Sequence, residues 1–331
     1  MKPFRYVLKS LFNNSVIIEG RKRKWIESFI IFVLAMIIAL IPTVVTIASV
    51  KGSALLDANS NGVDEGLKYF SETMNKKQIK FKIKEENKEK VITIEESDFK
   101  WGENDNDTDG YYFNNRGEDN YFIYERYDGD KRVERLRVYQ LINLDANAFS
   151  DKIESIRNQS IETTPTSSFM AIGKTSSYLC VYSKASESWA SPIAARFLTY
   201  DRFEDGQEVI SSYVGEHSLN NWKEFIDTSY TSTKITSLFT QVGIYAALNF
   251  GISLFMAIMV FIITRGKNNP YRDYKFIEAI KIVSVASLTP SIIAALIGFI
   301  LPAYSTMLFM VILGVRIMWL TSKNLNPAIR N

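Results

Sequence analysis

Hydrophobic positions along the chain follow two different patterns. The first is a set of long uncharged runs. Residues 28–50, SFIIFVLAMIIALIPTVVTIASV, form 23 positions without a charge, enough for a helix to cross about 30 Å of hydrocarbon. Further runs occupy 235–264, 282–301 and 304–321, the last interrupted only by Arg316, with Pro302 between the final two. These predict a four-span transmembrane helical bundle, one helix plus three. The first run is longer than the roughly 7–15 apolar residues of a cleaved signal peptide, and it follows a 27-residue head, so it reads as an uncleaved anchor.

The second pattern has short periods and fills the 51–234 insert. Residues 78–84 alternate Ile79, Phe81 and Ile83 with lysines, and 91–94 follow across a polar turn, which predicts a hairpin. Residues 120–127 and 132–142 flank Asp128-Gly129-Asp130-Lys131, where Asp-Gly favours a tight turn and a second hairpin. Asp145 precedes Ala148, Phe149, Ile153 and Ile156 at helical spacing, predicting a helix to Arg157 and then a loop over 160–168. Further strands are predicted at 169–173, 177–183 and 209–214. Ser218 is an N-cap for a helix from Asn220 through Trp222, Phe225 and Ile226 toward the second long run. The expected fold class is α+β, with a mainly antiparallel domain joined to the bundle.

Net charge is only +3, but it is segregated along the chain. Residues 52–234 carry 23 basic and 32 acidic side chains, whereas the other 148 residues carry 16 and 4. Short loops retained in the cytoplasm keep Lys and Arg. Lys2, Arg5, Lys9 and the run Arg21-Lys22-Arg23-Lys24 precede the first span. Arg265, Lys267, Arg272, Lys275 and Lys281 fill the 265–281 loop, and Lys323 and Arg330 lie in the 322–331 tail. All three segments are therefore expected in the cytoplasm and 51–234 outside, at a plasma membrane. Within the 1–27 head, Phe4, Val7, Leu8, Leu11 and Phe12 fall on one helical face, predicting an amphipathic helix on the inner leaflet or packed on the bundle. The basic run is expected to attract anionic inner-leaflet lipids rather than nucleic acid, because it adjoins a span.

Composition removes much familiar chemistry. One cysteine, Cys180, permits no internal disulfide, and one histidine, His217, permits no multi-histidine metal centre. Cys180 lies in an apolar strand and His217 in a polar stretch, so they read as core and surface residues. Asp105, Asp107 and Asp109, with Gly110, match the opening of a calcium loop, but position twelve is Arg116 where a bidentate Glu belongs. A solvated turn is the competing reading. The aromatics at 111–113 and 121–127 fall in strand-like runs and are expected to pack a sheet. Among apolar positions, Asn249 requires an interhelical partner and Arg316 a route to the headgroups. Ser284, Ser287, Ser291, Ala294, Ala295 and Gly298 form a small-residue stripe, with Pro290 able to bend it, suited to close helix packing inside the chain or with another membrane protein.

The opening KPFRYVLKSLFNN, the basic run before one span, the external insert and the closing three-span unit resemble a family of Gram-positive membrane proteins labelled maltodextrin-utilisation (MalA-type) proteins. Residues 271–302, YRDYKFIEAIKIVSVASLTPSIIAALIGFILP, also resemble Yip-type membrane domains. The resemblance implies a setting beside maltodextrin transport and supplies no catalytic residues. The expectation is a non-enzymatic accessory or scaffold of a transport or envelope assembly. A ligand-binding sensor coupled to the cytoplasmic face is the alternative.

Overall fold

The computed structural model describes residues 3–57, 62–95, 111–116, 119–128, 130–163, 168–182, 192–266 and 269–325. The chain divides into two compact units, Met1–Ser49 with Thr236–Asn331, and Val50–Ile235. In chain order the elements begin with α1 (Pro3–Ser10), α2 (Asn14–Glu19), α3 (Trp25–Ser49), α4 (Ala54–Asp57) and α5 (Val63–Lys76). Then follow β1 (Lys80–Glu86), β2 (Glu89–Glu95), β3 (Tyr111–Arg116), β4 (Asp119–Asp128), β5 (Lys131–Leu141) and α6 (Ala146–Thr163). The next are β6 (Ser168–Gly173), β7 (Ser176–Tyr182), β8 (Pro192–Thr199), β9 (Glu208–Val209) and α7 (Ser218–Thr264). The chain closes with α8 (Phe276–Ala286), α9 (Leu288–Gly298) and α10 (Ser305–Leu320).

The first unit is helical. Four stretches among the described residues, Trp25–Ser49, Gly215–Thr264, Phe276–Gly298 and Ser305–Leu325, are long and apolar enough to cross a membrane. The third begins six positions before the charge-free run, because Glu278 and Lys281 do not oppose helix formation. The Glu278 carboxylate accepts the Lys275 N–H at 2.8 Å and so caps the first turn. It breaks at Ser287, where Pro290 withholds the N–H that would reach the Ala286 carbonyl. The N-terminal head joins the bundle core: Tyr6, Val16 and Ile17 are buried with Ile282, Val285 and Leu313. Leu8 and Phe12, from the predicted amphipathic face, are exposed, Phe12 lying just past the end of α1.

The second unit is α+β. Its six-stranded sheet has order β3-β4-β5-β6-β7-β8, antiparallel except for β5 and β6, which α6 connects as a parallel crossover. A three-stranded sheet has order β2-β1-β9. Both expected hairpins form; Asn87 and Lys88 take φ of 52° and 70° at the first, the left-handed pair a two-residue turn requires. Strand alternation splits the large sheet between two cores. Phe122, Leu136, Val138 and Leu179 pack with α5 and with Trp222 of α7. Tyr121, Tyr139, Phe169 and Cys180 pack with Phe149, Ile153 and Ile156 of α6.

Three expectations need correction. α6 runs past Arg157 to Thr163, into the stretch expected as a loop, because Ile161 and its polar neighbours are compatible with a continued helix. The strand expected over 209–214 ends at Val209, because Ile210 has φ 64° and turns the chain. Finally, α2, α4, α5 and β8 join the predicted elements, while β3 forms where the aromatics at 111–113 are expected to pack a sheet.

Candidate functional site

The bundle interior holds most of the polar residues singled out in the sequence. α9 packs against α3 and α10, and Ser287, Ser291 and Ala294 are wholly buried. A Cβ on Gly298 would lie 2.7 Å from Ser305 Oγ, 2.9 Å from Ser305 Cβ and 3.0 Å from Pro42 Cγ. The stripe is thus spent on contacts within this chain. Pro42 withholds the N–H that would serve the Ile38 carbonyl, and at the neighbouring carbonyl, of Ala39, Ser305 Oγ donates a bond of 3.1 Å. Ser287 and Ser291 hydroxyls donate to Ser284 and Leu288 carbonyls at 2.8 and 2.7 Å.

Arg316 finds partners within the chain. Its guanidinium donates to the Leu11 carbonyl at 3.4 Å and lies 5.0 Å from the Trp319 ring centre. Thr289 Oγ1 donates to the same carbonyl at 2.9 Å. Leu11 follows the end of α1, where backbone carbonyls lack intrahelical donors and a cation is favoured. Lys281 Nζ similarly donates to the Arg23 carbonyl at 2.7 Å. These bonds tie the N-terminal segment to α8, α9 and α10.

The basic run is divided in use. Arg23 lies 3.7 Å from the Tyr6 ring centre and pairs with Glu27 at 2.8 Å. Arg21 lies 4.2 Å from the Tyr274 ring centre. Burial pushes the Tyr6 hydroxyl up to about 12, against the opposing charge of Arg23. Lys22 and Lys24 remain exposed.

α7 carries two buried polar residues in its apolar stretch whose side chains find no partner among the described residues. Asn249 is wholly buried, and neither amide atom has a hydrogen-bond partner among the described residues. Ser253, one turn on and 5% exposed, also has an unpartnered hydroxyl. Ser253 lines an open groove of about 280 Å³ whose walls come from α3, α7 and α8.

The chain matches no protein-family model, no curated protein and no solved structure. Function must therefore be inferred from the chemistry of these residues. Asp105, Asp107 and Asp109 lie outside the described residues. Among the described residues, no group of three or more His, Cys, Asp or Glu side chains is placed to hold a metal ion. His217 is exposed in a short helical turn. Cys180 is buried in β7, and burial raises its thiol above the usual range. Sequence reasoning missed Ser253, Thr289 and Ser305. A hydroxyl in an apolar run was the available signal, but only the fold reveals which carbonyls Thr289 and Ser305 reach and that Ser253 reaches none.

Proposed function

We propose that this protein is a non-enzymatic, four-span plasma-membrane protein that serves as an accessory or scaffold to a transport or envelope assembly. In this reading 51–234 lies outside and both termini are cytoplasmic. The observation that carries it is the internal use of polar groups in the bundle. Arg316, Thr289, Ser287, Ser291 and Ser305 donate to carbonyls of the bundle itself. A transporter core instead presents ionisable or broken-helix groups to a pathway. Maltodextrin uptake is the setting implied by the sequence resemblance, with another membrane protein as partner.

Reporter fusions after Lys51 and Ser232 should read outside, and fusions after Lys267 and Asn331 inside. An external C-terminus would overturn the four-span arrangement. The full chain extracted from its native membrane in mild detergent should retain a defined set of membrane proteins; recovery of the chain alone would count against an accessory role.

A sensor reading is favoured by one feature, the 47-residue helix α7, whose first turns belong to the core of the α+β unit and whose remainder belongs to the bundle. Titration of the full chain with maltooligosaccharides, or with calcium for Asp105, Asp107 and Asp109, would support it through saturable binding.

A further inference from the structure

We propose that the groove between α3, α7 and α8 seats one acyl chain of an anionic phospholipid, whose phosphate lies at Lys22 and Lys24. The proposal rests on the membrane-spanning reading above. Trp25, Phe29 and Phe32 of α3 face Phe250 and Leu254 of α7 across the groove. Trp25 to Phe32 is seven residues, or about 10 Å along a helix. An opening of about 280 Å³ accepts one hydrocarbon chain and not a helix, which is about 10 Å across with its side chains.

Two polar features select an amphipathic occupant with negative charge. The first is Ser253, whose buried hydroxyl lacks a protein acceptor and lines the groove. A lipid ester carbonyl can accept that O–H, as a hydrocarbon chain alone cannot. The second is charge at the Trp25 end. Arg21 and Arg23 are stacked on tyrosines, and Lys281 donates to backbone carbonyls. Lys22 and Lys24 are exposed, and no ion pair engages them among the described residues. Lys24 immediately precedes Trp25, a groove residue suited to the headgroup boundary, which puts free cations next in the chain to the groove's Trp25 end, where a phosphate joined to the seated chain would lie.

The test uses the full chain purified in mild detergent, with native mass spectrometry to count bound lipid. Phosphatidylglycerol and phosphatidylcholine of identical chains are supplied in equal amounts. One phosphatidylglycerol should survive detergent washing that strips phosphatidylcholine. Lys22→Gln with Lys24→Gln, both on exposed side chains, should reduce that preference roughly tenfold or more. Ser253→Phe should fill the groove and abolish retention. Equal retention of the two lipids, or an undiminished preference in the lysine double variant, overturns the proposal. So does displacement by glycerol 3-phosphate, which has the headgroup phosphate without the chains. Release of the protein from membranes by alkaline carbonate would instead sink the membrane-spanning reading, independently of these lipid counts.

Discussion

Replacing Gly298 with alanine adds one methyl group where α3, α9 and α10 converge. Two of the three atoms it would meet cannot swing aside: Ser305 Cβ at 2.9 Å is fixed to backbone, and Pro42 Cγ at 3.0 Å belongs to a ring. The third, Ser305 Oγ at 2.7 Å, is held by its bond to the Ala39 carbonyl. The helices must therefore separate by a few tenths of an ångström, and overpacking of this kind costs about 1–3 kcal/mol. Alanine otherwise favours a helix over glycine by roughly 0.5–1 kcal/mol, so the sign at Gly298 runs against propensity. Gly251, with nothing within 4 Å of its added Cβ, and Gly314, which meets only the flexible Met256 Cε at 3.5 Å, are the matched controls. Thermal unfolding of the full chain in detergent should rank Gly298→Ala below the parent, with both controls at or above it. Ser305→Gly in the Gly298→Ala background should recover part of the loss. Parental stability for Gly298→Ala, or greater harm at Gly251, would refute the close packing of α9.

Other expectations concern the α+β unit. Trp222 Nε1 donates to the Leu67 carbonyl at 3.0 Å and to Ser71 Oγ at 2.8 Å, so Trp222→Phe should cost about 2 kcal/mol in urea unfolding. Burial raises the hydroxyls of Tyr200 and Tyr213 above a tyrosine's usual range. The folded unit then keeps protons that the unfolded chain releases, so stability is full below about pH 10 and falls as pH rises beyond it. Tyr200→Phe should flatten that alkaline loss, read by circular dichroism against pH. Cys180 should resist maleimide in the native protein and react on denaturation, in keeping with its burial and raised thiol.

The four long helices were legible because an uncharged run of that length has few other uses, and the two hairpins because their turn residues differ sharply from their strands. α5 was also written plainly, in Val63, Leu67, Phe70 and Met74 at helical spacing. Its glycine and flanking polar residues mask that stripe, although Gly66 is what lets the helix approach Leu136, which an added Cβ would meet at 2.8 Å. β8 begins at a proline and escapes a search for regular alternation. At the candidate site, composition identified Asn249, Arg316 and the small-residue stripe. It did not identify the partner of Arg316, since Arg316 and Leu11 are 305 positions apart. Likewise the groove needs walls from three separate helices, and no local pattern encodes it.

The place of Trp222 in the core has a consequence for the order in which the protein is made. Its bond to the Leu67 carbonyl links residues 155 positions apart, and Phe225 and Ile226 fill the same core from the same helix. A ribosome must therefore finish nearly the whole insert, and the opening turns of α7, before this core can close. Until then the faces of β1, β4 and α5 that await Trp222 stay uncovered, a state open to chaperones and proteases. Truncation before residue 222 should leave a degradable chain, whereas truncation after α7 should leave a protected one, so nascent-chain protease protection would time the closure to the synthesis of this single helix.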